Sequence, residues 1–148
     1  MKKILLLSVA TALTSLSLTS AADIKPSDAI EYRQGIFKAF KWNFGPMADM
    51  VRGKTEFNGE EFAKRANTLQ SLSTQPWEAF IDGTYASATS ALPKIATEQA
   101  AYQERIDTFE KAVANLAKAA QTQDLKQIRP AFGQAGQSCK GCHDNFRD

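Results

Sequence analysis

Histidine and cysteine are scarce in this chain of 148 residues: His143 is the single histidine, and Cys139 and Cys142 are the only cysteines. A closed zinc site needs four protein ligands, and these three side chains cannot complete one. A pair of cysteines three positions apart also closes so small a loop that a disulfide there would stabilise the fold little. The cysteines therefore need another explanation.

An excess of charge of one sign is also missing. The chain has 18 Lys and Arg against 16 Asp and Glu, and without Lys2 and Lys3 the count is 16 against 16. No basic field exists that would favour nucleic acid or a membrane surface as a partner. Strand-like alternation, internal repeats and low-complexity tracts are absent as well. The lack of a βαβ pattern argues against a thioredoxin-like cysteine pair.

The N-terminus has the pattern of a secretory signal peptide. Residues 1–3 are basic, residues 4–18 are apolar or hydroxyl-bearing, and residues 19–22 are small. We expect residues 1–21 to form the signal peptide, with the cut after Ala21 or Ala22, and an uncleaved anchor as the alternative. No cysteine near the cut offers a lipid anchor, and no second apolar span follows. The prediction is an exported, periplasmic protein of residues 22–148 without a membrane span.

Apolar residues after this leader recur at steps of three and four, which is typical of helices that pack on one another. Four such runs predict an all-α, antiparallel four-helix bundle, with its longest loop over residues 73–92. The runs are Ile30, Phe37, Phe40, Phe44, Met47 and Val51; Phe62, Ala66, Leu69 and Leu72; Ile95, Tyr102, Ile106, Phe109, Val113, Leu116 and Ala120; and Ile128, Phe132, Ala135, Cys139, Cys142 and Phe146.

Proline and capping residues predict where these helices begin. Pro26 and Pro93 suit the first turns of the first and third helices, and Asn58 with Glu61 suits a capping box for the second. For the fourth helix two starts are open: a cap by Asp124 and Gln127, or a start or bend at Pro130. Pro46 lies inside the first run and predicts a kink or an early end.

Both cysteines lie on the inward stripe of the fourth helix. Positions 139, 142 and 143 are i, i+3 and i+4, so the two thiols and the imidazole share one helix face. Cys-x-x-Cys-His is the attachment signature of c-type haem, with two thioethers and a histidine ligand to the iron. We therefore predict one covalent haem c on Cys139 and Cys142, with His143 as the axial ligand. A zinc site, a redox pair and a plain disulfide are the weaker alternatives.

A single histidine excludes bis-histidine ligation within one chain. If the protein supplied a sixth ligand, it would be Met47 or Met50, although methionines at helical spacing more often fill a core.

With these residues in view, the sequence resembles the cytochromes c′, the high-spin class II c-type cytochromes. The resemblance covers the mature sequence and rests on residues 25–34, 42–47, 51–54, 76–80, 131–133 and 139–147. A haem motif so close to the C-terminus is itself distinctive. The resemblance implies a periplasmic, usually homodimeric four-helix bundle with five-coordinate iron, which binds nitric oxide and often carbon monoxide.

The resemblance also implies roles for further residues. Arg33 and Gln34 match contacts to the haem propionates, Trp77 and Phe80 match aromatic residues of the haem pocket, and Arg147 matches a basic residue beside the proximal histidine. Phe37 matches the position over the distal face of the haem, where the family often has leucine. The loop of residues 85–90 lacks the acidic residue that many members carry, so a third propionate contact cannot be assigned there.

Three functions follow as hypotheses. An open iron site favours binding of nitric oxide and other small gases, and the alternative is a one-electron carrier with low-spin His/Met ligation and a redox partner that the sequence does not name. Enzymatic turnover of nitric oxide or peroxide is the weakest, because no distal histidine or arginine is available to polarise an O–O bond. Association of two chains is expected through the first two helices, around Met47, Met50 and Val51.

Overall fold

The computed structural model describes residues 24–85 and 89–148; the predicted signal peptide and both candidate cut sites lie outside this part of the chain. The fold is the predicted all-α, antiparallel four-helix bundle. Its helices are α1 (Pro26–Val51), α2 (Gly59–Leu72), the one-turn α3 (Lys94–Thr97), α4 (Gln99–Ala120) and α5 (Leu125–Phe146), with a 3-10 turn at Trp77–Ala79. The described residues contain no β-strand, only an isolated bridge between Ala91 and Arg147.

Helix starts follow the predicted capping residues. Pro26 occupies the first turn of α1, and the Asn58 side chain accepts a 2.9 Å hydrogen bond from the Glu61 N–H at the start of α2. Asp124 caps α5 by accepting a 2.9 Å bond from the Lys126 N–H. Side-chain oxygens at these positions satisfy N–H groups that have no partner within the helix.

The prolines disturb the helices less than their positions predict. An early end of α1 at Pro46 is wrong, since the helix continues to Val51. A start of α5 at Pro130 is also wrong, because the helix begins five residues earlier. Both prolines are exposed. Their rings, and the positions where a backbone N–H is lacking, therefore lie on the solvent side of the helix rather than in the packed interior.

The third apolar run is divided between two helices. Pro93 is the N-cap of α3 rather than a first-turn residue of one long helix. Glu98 then adopts φ −107° and ψ 44°, which is not helical, and α4 begins at Gln99. The apolar stripe nevertheless continues through the break, because Ile95 and Tyr102 are both buried.

The core lies between the four long helices. Every predicted stripe residue of the third run is buried, as are Phe62, Ala66 and Leu69 of α2. Met47 and Met50 are also buried, at 0% and 6% exposure. They are core residues, so the expectation that these two methionines form a surface between two chains is wrong.

One aromatic stack and two backbone hydrogen bonds hold the chain around the cavity. Phe44 of α1 stacks on Phe132 of α5 with ring centroids 4.3 Å apart, which closes the gap between these helices toward one end. Beyond that pair the helices enclose a cavity. The chain end is fixed beside it, because the Leu92 N–H donates to the Phe146 carbonyl at 3.0 Å and the Asp148 N–H donates to the Ser90 carbonyl at 2.9 Å.

None of the helices in the described part of the chain combines the length and the apolar character that crossing a membrane requires.

Candidate functional site

A large cavity of about 570 Å³ brings the predicted site residues together. Its walls come mainly from α1, the loop before α3, α4 and α5, and Leu69 of α2 and Ile95 of α3 complete them. All nine residues predicted for the site line it: Arg33, Gln34, Phe37, Trp77, Phe80, Cys139, Cys142, His143 and Arg147. A volume between about 300 and 1,000 Å³ is typical of cofactor pockets, so the cavity is large enough to be a binding site.

Cys139, Cys142 and His143 lie on α5 and face the cavity together. The cysteines are half-buried and are not joined by a disulfide, while His143 stays exposed. Helical spacing explains the arrangement, since residues three and four apart stand one above the other on one face.

Burial favours the protonated form of both thiols. Burial, with the neighbouring Cys142 as the second cause, raises the pKa of the Cys139 thiol to about 11. Burial also raises the pKa of Cys142, and nearby Arg105 only partly opposes this. Reactive cysteines of redox pairs have lowered pKa values instead. The site is therefore unlike that of a thiol–disulfide oxidoreductase.

The pKa of His143 is lowered, first by partial burial and then by the positive charge of Arg147. Both effects favour the neutral imidazole, which is the form that can donate a nitrogen lone pair to a metal.

Arg33 is the most deeply buried charged side chain described, at 2% exposure. It donates to the Ala79 carbonyl at 3.0 Å, to Thr84 Oγ1 at 2.7 Å and to the Thr84 carbonyl. Its guanidinium carbon lies 4.4 Å from the centroid of the Phe80 ring. Burial lowers the pKa of Arg33, and no described carboxylate pairs with it. An anion bound in the cavity would supply the negatively charged partner that this buried guanidinium lacks.

The residues around Arg33 show how the cavity edge is built. Thr89 Oγ1 accepts a 3.3 Å hydrogen bond from Arg33, and both Thr89 and Ser90 line the cavity. Gln34, the next residue on α1, is exposed at the same edge. Together they offer hydrogen-bond donors at the open side of the cavity.

An aromatic wall faces the cavity from α1 and from the loop between α2 and α3. Phe37 packs edge-on against Trp77 and Phe80, with ring centroids 6.0 Å and 6.4 Å away. The Trp77 indole N–H donates a 2.9 Å hydrogen bond to Glu110 Oε1 on α4. The tryptophan is therefore held by packing on one side and by a charged acceptor on the other.

Several residues that line the cavity could not be predicted from the sequence. Tyr102, Phe109 and Phe146 line it, although their periodicity predicts only burial. Lys38, Lys41 and Arg105 line it too, and no sequence signal separates them from solvated helix faces. Met47 and Met50, the candidate sixth ligands, are not among the lining residues and pack in the core.

The residues present fit a haem group. Two neighbouring thiols and an imidazole share one wall, the remaining walls are mostly aromatic and aliphatic, and buried Arg33 lacks an anion. A flat apolar macrocycle with two carboxylates would satisfy all three features.

Comparisons with known proteins agree with this geometry. Residues 28–147 match the family described as Cytochrome C′. The cytochrome c′ of Halomonas halodenitrificans is 39% identical over 129 residues, which is 83% of this chain and 98% of that protein.

Solved structures extend the comparison to the fold. The structure of cytochrome c′ from Shewanella frigidimarina aligns with a TM-score of 0.81 and 41% identity, over 84% of this chain and 97% of that one. The structure from Rubrivivax gelatinosus aligns with a TM-score of 0.80 and 39% identity, over 84% and 98%. A nitric oxide complex of a variant from Alcaligenes xylosoxidans aligns with a TM-score of 0.78 and 35% identity, over 84% and 97%. On its sequence, its fold and the cavity that the fold creates, this chain belongs to the cytochrome c′ family.

Proposed function

We propose that this protein binds nitric oxide at a five-coordinate haem iron held in the cavity. Haem c is the cofactor of the family, and the two cysteines that its attachment requires are present. Cys139 and Cys142 would form the two thioethers, and His143 would be the axial ligand. Bound haem supplies a redox-active iron with one free coordination position. The observation that carries the proposal is that all three attachment residues face one cavity.

The free position follows from what the cavity walls lack. His143 is the only histidine of the chain, and among the described residues no methionine lines the cavity. Phe37, Trp77 and Phe80 fill the wall from α1 and the loop with rings that have no lone pair suited to iron. The alternative, a dedicated low-spin electron carrier with a Met47 or Met50 ligand, is disfavoured because both side chains pack in the core.

Polar residues at the cavity edge would orient the haem. Arg33 and Gln34 would hold the propionates, and the bonds of Arg33 to the Thr84 side chain and carbonyl would fix its guanidinium before haem binds. Arg147 lies beside His143 and would act on the proximal side. A fixed guanidinium loses little side-chain entropy on binding a carboxylate.

Ligand binding rather than catalysis is proposed as the activity. The Alcaligenes xylosoxidans relative was solved as a nitric oxide complex, and carbon monoxide is a second expected ligand of ferrous iron here. Phe37, Trp77 and Phe80 form the aromatic wall of the cavity, and none of the three is a histidine or an arginine that could polarise an O–O bond. One-electron exchange with a periplasmic redox partner remains part of the proposal.

The proposed location is the periplasm, after cleavage of residues 1–21 or 1–22. The family match begins at residue 28, which leaves the basic and apolar leader outside it.

We also propose a homodimer. Since Met47 and Met50 are buried, the most exposed large apolar side chain that α1 offers for pairing is Trp42, which is 75% exposed.

Titration of the reduced, haem-loaded protein with nitric oxide tests the proposed function. We expect a saturable change in the haem absorption spectrum at one nitric oxide per haem. An unchanged spectrum at millimolar nitric oxide would show that the iron has no accessible position.

A further inference from the structure

The charged side chains that line the cavity are all cationic. Five cationic side chains line it, Arg33, Lys38, Lys41, Arg105 and Arg147, and no described Asp or Glu does. The chain as a whole has nearly equal numbers of positive and negative side chains. Positive charge is therefore concentrated at the cavity and balanced elsewhere on the surface.

Four of these cations are at least partly exposed to solvent, and we call Lys38, Lys41, Arg105 and Arg147 the cationic rim. Lys38, Lys41 and Arg147 are exposed and Arg105 is half-buried. Ion pairs between described residues involve other side chains, so none of the four is neutralised by a partner within that part of the chain.

Two of the rim residues lie next to the haem motif. An Arg105 guanidinium nitrogen lies 3.6 Å from the position a Cβ would take at Gly141, and Arg105 acts on Cys142 through its charge. Arg147 acts in the same way on His143. Charge at the rim would therefore act where electrons enter or leave the haem. Two propionates would offset two of the five positive charges, which leaves three lining cations without an anion in the cavity.

We propose that the cationic rim docks the acidic face of a protein electron-transfer partner. This inference rests on the electron-exchange part of the proposed function. An acidic partner would be steered toward the cationic rim, because complementary charge raises the rate of encounter. On docking, a ferrous haem would lose one electron and the partner's metal or flavin centre would gain it, with no proton or bond exchanged.

The spacing of the rim favours a protein over a small anion. Its cations come from three segments, α1, α4 and the chain end after α5, and line a cavity of about 570 Å³. A small anion is bound by donors that converge on one point. Separated charges along a large cavity match instead the dispersed carboxylates of a protein surface.

Oxidation of the ferrous protein tests this with two probes, ferricyanide as a small anion and plastocyanin as an acidic copper protein. We expect both second-order rates to fall as salt rises from about 10 mM to about 200 mM, since the Debye length shortens from roughly 30 Å to under 10 Å. The fall should be steeper for plastocyanin than for ferricyanide. At low salt, the double substitution Lys38→Glu with Lys41→Glu should slow oxidation by plastocyanin about tenfold or more.

The matched control is Lys118→Glu with Lys126→Glu, which makes the same change in net charge at exposed positions outside the cavity. It should change the plastocyanin rate less than about twofold. Equal slowing by control and rim variants, or a plastocyanin rate independent of salt, would overturn the proposal. So would a rim effect confined to ferricyanide, which would indicate a small-anion site. Failure of both oxidants to react would instead contradict electron exchange itself.

Discussion

The indole N–H of Trp77 and the carboxylate of Glu110 are joined by a hydrogen bond of 2.9 Å that links the loop before α3 to α4. Trp77 also packs against Phe37, Phe80, Tyr102 and Phe109. Glu110 therefore fixes the orientation of a ring that forms part of the haem cavity, although Glu110 itself does not line it.

Replacing Glu110 separates the role of this acceptor from that of its charge. Glu110→Ala leaves the half-buried indole N–H unpaired and should lower the free energy of unfolding by about 1–3 kcal/mol. Glu110→Gln keeps an acceptor oxygen and should cost about half as much or less. Denaturant unfolding followed by near-ultraviolet circular dichroism measures both. Equal losses in the two variants would mean that the hydrogen bond does not hold Trp77.

The cysteine pair should be needed both for haem attachment and for tight packing of the helix bundle. Cys139→Ala with Cys142→Ala should remove the haem mass that the wild-type protein keeps after acidic organic extraction. It should also give loose tertiary structure, because the haem fills the space between the apolar stripes. Mass spectrometry and near-ultraviolet circular dichroism test the two parts. Native-like cooperative unfolding of the double variant would contradict the packing role, and loss of haem from the wild type on extraction would contradict the thioethers.

Phe37 should control access to the iron. Its ring packs against Trp77 and Phe80 at the cavity wall, and moving a packed ring aside costs roughly 1–3 kcal/mol. Phe37→Ala should therefore raise carbon monoxide affinity about 5- to 150-fold and keep the iron high-spin. Nitric oxide binds iron more strongly and should be less affected. Phe37→Met should give a low-spin fraction, because a thioether can bind the metal.

Phe57→Ala is the control for Phe37, since Phe57 is also half-buried and lies outside the cavity. Carbon monoxide titration of the reduced variants gives the affinities. An unchanged affinity in Phe37→Ala, or an equal rise in Phe57→Ala, would mean that Phe37 is a core residue and does not cover the iron.

Much of the fold could be predicted because its signals are local. Asn58 and Asp124 begin helices through bonds to N–H groups two or three residues away, and the stripes of α4 and α5 follow from periodicity alone. The sequence does not predict the non-helical residue Glu98 between α3 and α4, or the continuation of α1 past Pro46. Both depend on packing and solvent exposure in the folded chain.

The site divides in the same way. Cys139, Cys142 and His143 belong to one contiguous motif, and helical spacing alone places them on one face. The partners of Arg33 could not be predicted, because Ala79 and Thr84 are 46 and 51 residues away along the chain. The family resemblance supplied Arg33, Gln34 and Phe37. The rim residues Lys38, Lys41 and Arg105 have no such signal, because they become neighbours only where the cavity unites three helices.

Trp42 should hold two chains together. It is a large apolar side chain exposed at 75% on α1, and exposed aromatic residues are enriched at protein interfaces. Trp42→Glu should shift a dimer to monomer, while the control Thr108→Glu, at an exposed position of α4, should not. Sedimentation at micromolar concentration decides this. A wild-type monomer at every accessible concentration would contradict the homodimer, and a Trp42→Glu dimer would place its interface elsewhere.

The most direct test of the open iron site is the electron paramagnetic resonance spectrum of the purified ferric protein at neutral pH. His143 is the single histidine, and Met47 and Met50 pack in the core outside the cavity lining, so neither a second histidine nor either of these methionines is placed to complete the coordination. We predict a high-spin signal from five-coordinate iron. A predominantly low-spin spectrum would contradict the open site and would indicate a six-coordinate electron carrier.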